Sequence, residues 1–164
     1  MLKKIVIALF VILIGIQFIR PDKNESNDLT NDISTKYEVP DNVNQLLKVS
    51  CNDCHSNKTE YPWYANVQPV AWWLNDHVVD GKKHLNFSEF TKKPLFVQNH
   101  KLEEVIEMVA DKEMPLPVYT NFGLHAEADL SDEERNMITD WAKKQMDHLK
   151  ATYPADSLIF PKRK

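Results

Sequence analysis

Cys51 and Cys54 are the only cysteines in the chain, two residues apart, and His55 follows the second directly. The stretch Cys51-Asn52-Asp53-Cys54-His55 reads C-x-x-C-H, the attachment pattern of c-type haem. The spacing has a chemical reason. Two thiols one turn apart reach the two vinyl groups on one edge of a porphyrin, and the next residue presents imidazole to the iron from the same side. Cys51 and Cys54 are therefore read as thioether positions of one haem c, and His55 as its proximal ligand. Other chemistries fit less well. A thioredoxin-like dithiol calls for a βαβ context. Zinc would need two more ligands, and His77, His84, His100, His125 and His148 do not fall at the usual paired-histidine spacing. A plain disulfide leaves His55 without a role.

The sixth position of the iron has more than one candidate. Met114 follows a predicted helix in a proline-flanked loop, beyond the attachment motif and before the last helix. This order resembles small class I c-type cytochromes, which implies Met114 as distal ligand. His77 is the rival, because it occupies a helical stripe otherwise filled by Val70, Trp73, Leu74 and Val78. A distal position without a protein ligand is the third possibility. Met108 borders an apolar stripe and is read as core, as are Met137 and Met146. Trp63 and Tyr64 are candidates for the pocket wall, and the carbonyl of Pro62 or Pro69 is the expected partner for the far nitrogen of His55.

The elements that position these groups are helical. Val43, Leu46, Leu47 and Val49 lead into the motif, and the Val70 stripe predicts a helix ending at Gly81. A further helix is predicted over 99–112, with Leu102, Val105, Ile106 and Val109 on one face. Met114 to Asp129 has two prolines and a glycine and reads as an irregular loop. Ser131 and Glu134 stand in capping-box positions before Ile138, Trp141, Ala142 and Leu149. No stretch alternates in the manner of a strand. The expected fold is all-α, a small c-type cytochrome-like helical bundle around one covalently bound haem, preceded by an N-terminal membrane anchor.

The chain divides into an anchor over 1–20, a polar tether over 21–40, a haem-binding domain over 41–150 and a tail over 151–164. The run from Leu2 to Phe18 is near the lower limit for a membrane span and lacks small residues for signal cleavage. Retention is therefore expected, with Lys3 and Lys4 holding the N-terminus in the cytoplasm and the domain facing the periplasm. Removing Lys3, Lys4 and Arg20 from the 20 basic residues leaves 17 against 24 acidic ones, a balance of −7. No basic stripe is present beyond the terminal Lys-Arg-Lys, which argues against nucleic acid as a partner.

The residues from Cys51 to Phe90 and from Met114 to Ala142 resemble the bacterial haem-binding domain family of exported C-x-x-C-H proteins. The resemblance covers about 41–148 and rests on Pro62-Trp63-Tyr64, His77-Val78 with Gly81, Asn86-Phe87-Ser88 and Met114-Pro115. It departs from the pattern at Lys82, where arginine is expected, and at Ala126, where proline is expected. Lys82 weakens a bidentate role toward a propionate there. The resemblance implies covalent haem and a place in the cell envelope. The expected function is one-electron transfer by a membrane-tethered periplasmic monohaem c-type cytochrome domain, with a redox protein of the envelope as partner. A haem-based small-ligand sensor or a peroxidase-associated haem protein is the alternative; a carrier is expected rather than an enzyme.

Overall fold

The structure, a computed structural model, describes residues 1–121 and 125–161. Part of the irregular loop expected after Met114 and the terminal Lys-Arg-Lys lie outside the described residues. The described elements are helices and short 3-10 turns, so the all-α reading holds; the one strand-like feature among them is an isolated bridge between Glu25 and Lys58.

Helix α1 runs Leu2–Ile16 and buries none of its residues. With 15 residues it is roughly 22 Å long at the usual helical rise, against a hydrocarbon core roughly 30 Å thick. Among the described residues no helix is long and apolar enough to cross a membrane.

The domain is built on the pair α5, Leu95–Ala110, and α7, Asp132–Thr152. Leu102, Val105 and Val109 of α5 meet Ile138, Trp141, Ala142 and Leu149 of α7, and Leu102, Ile138 and Leu149 are fully enclosed. Each run repeats at three- and four-residue intervals, which places it on one helical face. Helix α7 starts where the sequence predicts. Ser131 Oγ accepts from Glu134 N, and Glu134 Oε2 accepts from Ser131 N at 2.8 Å, which closes the capping box. Helix α5 begins earlier than expected because Pro94 opens it at a position where its missing N–H costs nothing.

Helix α2, Asp41–Ser50, packs Val43 and Leu47 on this core and runs directly into the one-turn helix α3, Asn52–His55. Helix α4, Val70–His84, lies across α3. It does not end at Gly81 as expected but continues to His84. Its stripe is also divided: Leu74 and Val78 are buried with Ala71, while Val70 and Trp73 are exposed. The short helix α6, Pro117–Thr120, follows the Met114 loop.

The expected polar tether is packed rather than free. Asn24 Nδ2 donates to Ser56 O and to Thr59 Oγ1, both at 2.9 Å. Ile33 and Tyr37 join the hydrophobic core, with the Tyr37 hydroxyl donating to buried Gln98. Two isolated apolar anchors in a polar stretch are too sparse to register as periodicity. The tail is pinned in the same way by buried Leu158. Tyr37→Ala is predicted to cost about 3–5 kcal/mol, the range for truncating a buried aromatic. The urea unfolding midpoint of the full chain measures this; an unchanged midpoint would return the segment to a free tether.

Candidate functional site

Between α2, α3, α4, α5 and α6 lies a cavity of about 480 Å³. That is within the range of sites that enclose a small molecule. Cys51, Cys54, His55, His77, Met108 and Met114 all face it, and the rest of its wall is mostly apolar. Groups far apart in the chain thus meet in one chamber.

The motif adopts its shape through one tight helical turn. Cys51 closes α2 through its N–H to Leu47 O at 3.0 Å, and its own carbonyl accepts from Cys54 N at 3.2 Å and His55 N at 2.9 Å. Both cysteines are free thiols. Burial pushes Cys51 up to about 12, aided by Cys54, and pushes Cys54 up to about 11, aided by Asp53. Both therefore stay protonated at neutral pH. A reactive dithiol needs a thiolate at neutral pH, so this setting disfavours one. Among the described residues no three His, Cys, Asp or Glu side chains are grouped to hold a metal ion by themselves.

His55 is held by α4. Its Nδ1–H donates to Gly81 O at 3.0 Å and to Leu85 O at 3.1 Å. Carbonyls only accept, so the proton sits on Nδ1 and the Nε2 lone pair is left for another partner. Burial lowers the pKa of His55 despite these two bonds, so the ring is neutral as a ligand must be. The anchoring carbonyls are those of Gly81 and Leu85, not of Pro62 or Pro69. Pro69 caps the start of α4 and Pro62 precedes it, whereas the carbonyls that hold the ring belong to the helix's other end.

Gly81 explains both the extra length of α4 and the position of the motif. A Cβ there would stand 2.7 Å from Cys54 O and 3.0 Å from Cys54 Cβ. The glycine is a contact surface for α3 rather than a helix terminator.

Asp53, between the two cysteines, ties the motif to its surroundings. Its Oδ1 accepts from Glu60 N at 2.8 Å, and its Oδ2 accepts from the Tyr119 hydroxyl at 2.7 Å. Burial and this carboxylate push the Tyr119 pKa up, so it remains a donor. Tyr119 lines the cavity and stacks on His125 at 4.2 Å.

Met114 is placed by buried Arg135. The guanidinium donates to Met114 O at 2.7 Å, Val109 O at 3.0 Å and Leu130 O at 3.2 Å. One cation thus caps the end of α5 and fixes the loop. Lys112, with φ of 61°, makes the turn, and Met114 N–H donates back to Met108 O at 3.0 Å. Met108, read from the sequence as core, is instead a partly exposed residue of the cavity wall. His77 Nδ1–H donates to Trp73 O at 2.8 Å. Its Nε2 lone pair is left free as well.

Trp63 and Tyr64 do not line the cavity. Trp63 is 76 % exposed, and Tyr64 hydrogen-bonds His125, so it reaches the wall only through the His125–Tyr119 stack. Lys82 turns away to Asn24 Oδ1 at 2.6 Å. Sequence reasoning missed Arg135 and Tyr119. The signal for Arg135 was present: it lies one turn before Ile138 on the buried face of α7.

The chamber suits a haem. Two thiols, the imidazoles of His55 and His77 and the thioethers of Met108 and Met114 line it, side-chain types that can hold a haem. Ser50 Oγ on its wall is buried with no hydrogen-bond partner among the described residues. The model of the haem-binding domain family matches residues 11–144, most of the chain. The chain belongs to that family. No curated protein and no solved structure gives a match.

Gly81→Ala is predicted to force α4 away from Cys54, costing about 1–3 kcal/mol and lowering haem content per chain. Gly15→Ala, which meets nothing within 4 Å, serves as the unaffected control in the same thermal unfolding and haem assays. Acid sensitivity follows from His55, whose folded pKa is depressed. The unfolded chain takes up the proton first, so stability conferred by the neutral ring is lost as pH falls below about 6.5. Unfolding of the haem-free chain between about pH 7 and 5 should show this loss, and His55→Gln should reduce it.

Proposed function

We propose that this haem-binding domain protein is a one-electron carrier holding a single haem c. The observation that carries the reading is the shared cavity wall, which Cys51, Cys54, His55 and Met114 all line, with the Nε2 of His55 left without a proton. Cys51 and Cys54 would hold the porphyrin as thioethers, an addition of S–H across a vinyl group that needs no leaving group. Once bound, haem supplies the ferric–ferrous couple.

The rest of the work belongs to the chain. Gly81 and Leu85 orient His55 and raise the electron density of its ring. Arg135 holds the Met114 loop, and a thioether favours the reduced iron more than a second imidazole does. The largely apolar wall would favour the state of lower charge. His77 supports a second reading, because it lines the same cavity and its Nδ1 bond to Trp73 O leaves Nε2 with its lone pair. In that arrangement His77 is either the distal ligand or the polar group of a small-ligand sensor or peroxidase-associated protein.

The proposed location is the periplasmic face of the inner membrane. Lys3 and Lys4 precede the apolar stretch of α1 and favour a cytoplasmic N-terminus. The partner would be a redox protein of the envelope.

Haem colour should survive a denaturing gel, since thioethers persist where axial ligands do not; extraction of all haem by acid acetone would refute covalent attachment. The oxidised protein should show the far-red sulfur-to-iron band. Met114→Ala should remove it, admit CO and lower the potential by at least about 59 mV, tenfold in a one-electron equilibrium. Met108→Ala should leave the band in place. If His77→Ala changes spectrum and potential while Met114→Ala does not, the histidine reading replaces this one.

A further inference from the structure

An exposed apolar surface lies outside the haem chamber. Trp63 opens the 3-10 turn Trp63–Asn66, and Val67, Val70 and Trp73 follow it into α4, each more than a third exposed. Phe18 and Ile19, just past α1, are exposed too. Hydrogen bonds join the two groups. Gln17 Nε2 donates to Gln68 O at 3.2 Å, and Gln68 N donates to Gln17 Oε1 at 2.9 Å. Ile19 O accepts from Gln68 Nε2 at 2.7 Å and from Trp72 Nε1 at 3.0 Å. Gln68 is 2 % exposed, so its three bonds to Gln17 and Ile19 are partly shielded from competing water. The end of an apolar helix is thus fastened to the segment that bears two exposed tryptophans.

We propose that Trp63, Val67, Val70 and Trp73 form a membrane-docking face, seated in the lipid headgroup region beside the point where α1 enters the bilayer. The proposal rests on the membrane reading of α1 given above. Continuity is the first argument: α1 buries nothing against the domain, and its end is bonded to this face. Length is the second. A helix roughly 22 Å long falls short of the hydrocarbon thickness, so what is fastened to its end is drawn into the boundary between apolar core and headgroups. The third is chemical. Tryptophan, with an apolar body and an N–H, partitions to that boundary. Gln17, whose amide would be costly there if unpaired, already has its partner in Gln68. Arg20 and Lys23 follow directly, where cations meet anionic headgroups. The other exposed apolar pair, Ile159 and Phe160, has no hydrogen bond to α1 among the described residues and packs toward Phe96 and His100.

The test uses the full haem-loaded chain in vesicles of phosphatidylcholine and phosphatidylglycerol containing a photoactivatable phospholipid. Trypsin cuts after Lys58 and Lys82, so the face lies on one peptide, 59–82. Lipid adducts are expected on α1 and on 59–82, and not on the peptide beginning at Ala151. The double variant Trp63→Asp, Val67→Asp should lose adducts on 59–82 by about tenfold while α1 labelling stays constant. An unchanged haem spectrum shows that the variant is folded. Adducts on α1 alone would overturn the docking face and leave the anchor standing. Adducts on neither would overturn both. Equal labelling of the Ala151 peptide would overturn the proposal as indiscriminate adsorption.

Discussion

The site depends on the contact between α3 and α4 at Gly81. There the carbonyl of Cys54 approaches α4 more closely than any side chain permits, and the same turn of α4 offers the Gly81 and Leu85 carbonyls to His55 Nδ1. The two features act together. Close approach brings the imidazole within hydrogen-bonding reach, and the hydrogen bonds set its tautomer and hence which nitrogen keeps a lone pair. A buried imidazole N–H without an acceptor would cost about 1–3 kcal/mol, so the contact also stabilises the turn that carries both thiols.

A second constraint works from the opposite wall. Arg135 is a buried cation whose nearest carboxylate among the described residues, on Asp129, is 3.9 Å away. It directs its donors instead to three carbonyls at the junction of α5, the Met114 loop and α7. Charge-assisted hydrogen bonds of this kind are stronger than neutral ones, and they fix backbone rather than side chains. The loop therefore behaves as an extension of the α5–α7 core, and Met114 is presented from a rigid base.

The packed segment before α2 has a bearing on both. Asn24 accepts from Lys82 and donates to Ser56 and Thr59, so the chain leading from α1 is stitched to α4 and to the loop after the motif. Together with the Gln17–Gln68 pair, this couples the orientation of α1 to the haem-bearing end of the domain.

The shape of the Cys51–His55 turn was legible in the sequence because it is local: five consecutive residues place two thiols and an imidazole on one helical turn. Helix α7 was legible for a similar reason, since its capping box and apolar period are both short-range signals. Helical class followed from the absence of alternation. The boundaries of α4 and α5, the partner of His55 and the roles of Arg135 and Tyr119 were decided only by tertiary structure. Gly81 shows why. A glycine near the end of an apolar stripe reads as a terminator, and only the approach of Cys54, from an earlier helix, turns it into a contact surface. Trp63 shows the converse: it was a sequence candidate for the pocket wall, yet the 3-10 turn that it opens leaves it exposed. Side-chain identity and spacing specify what a group can do, whereas which groups meet depends on packing between segments that sequence separation does not reveal.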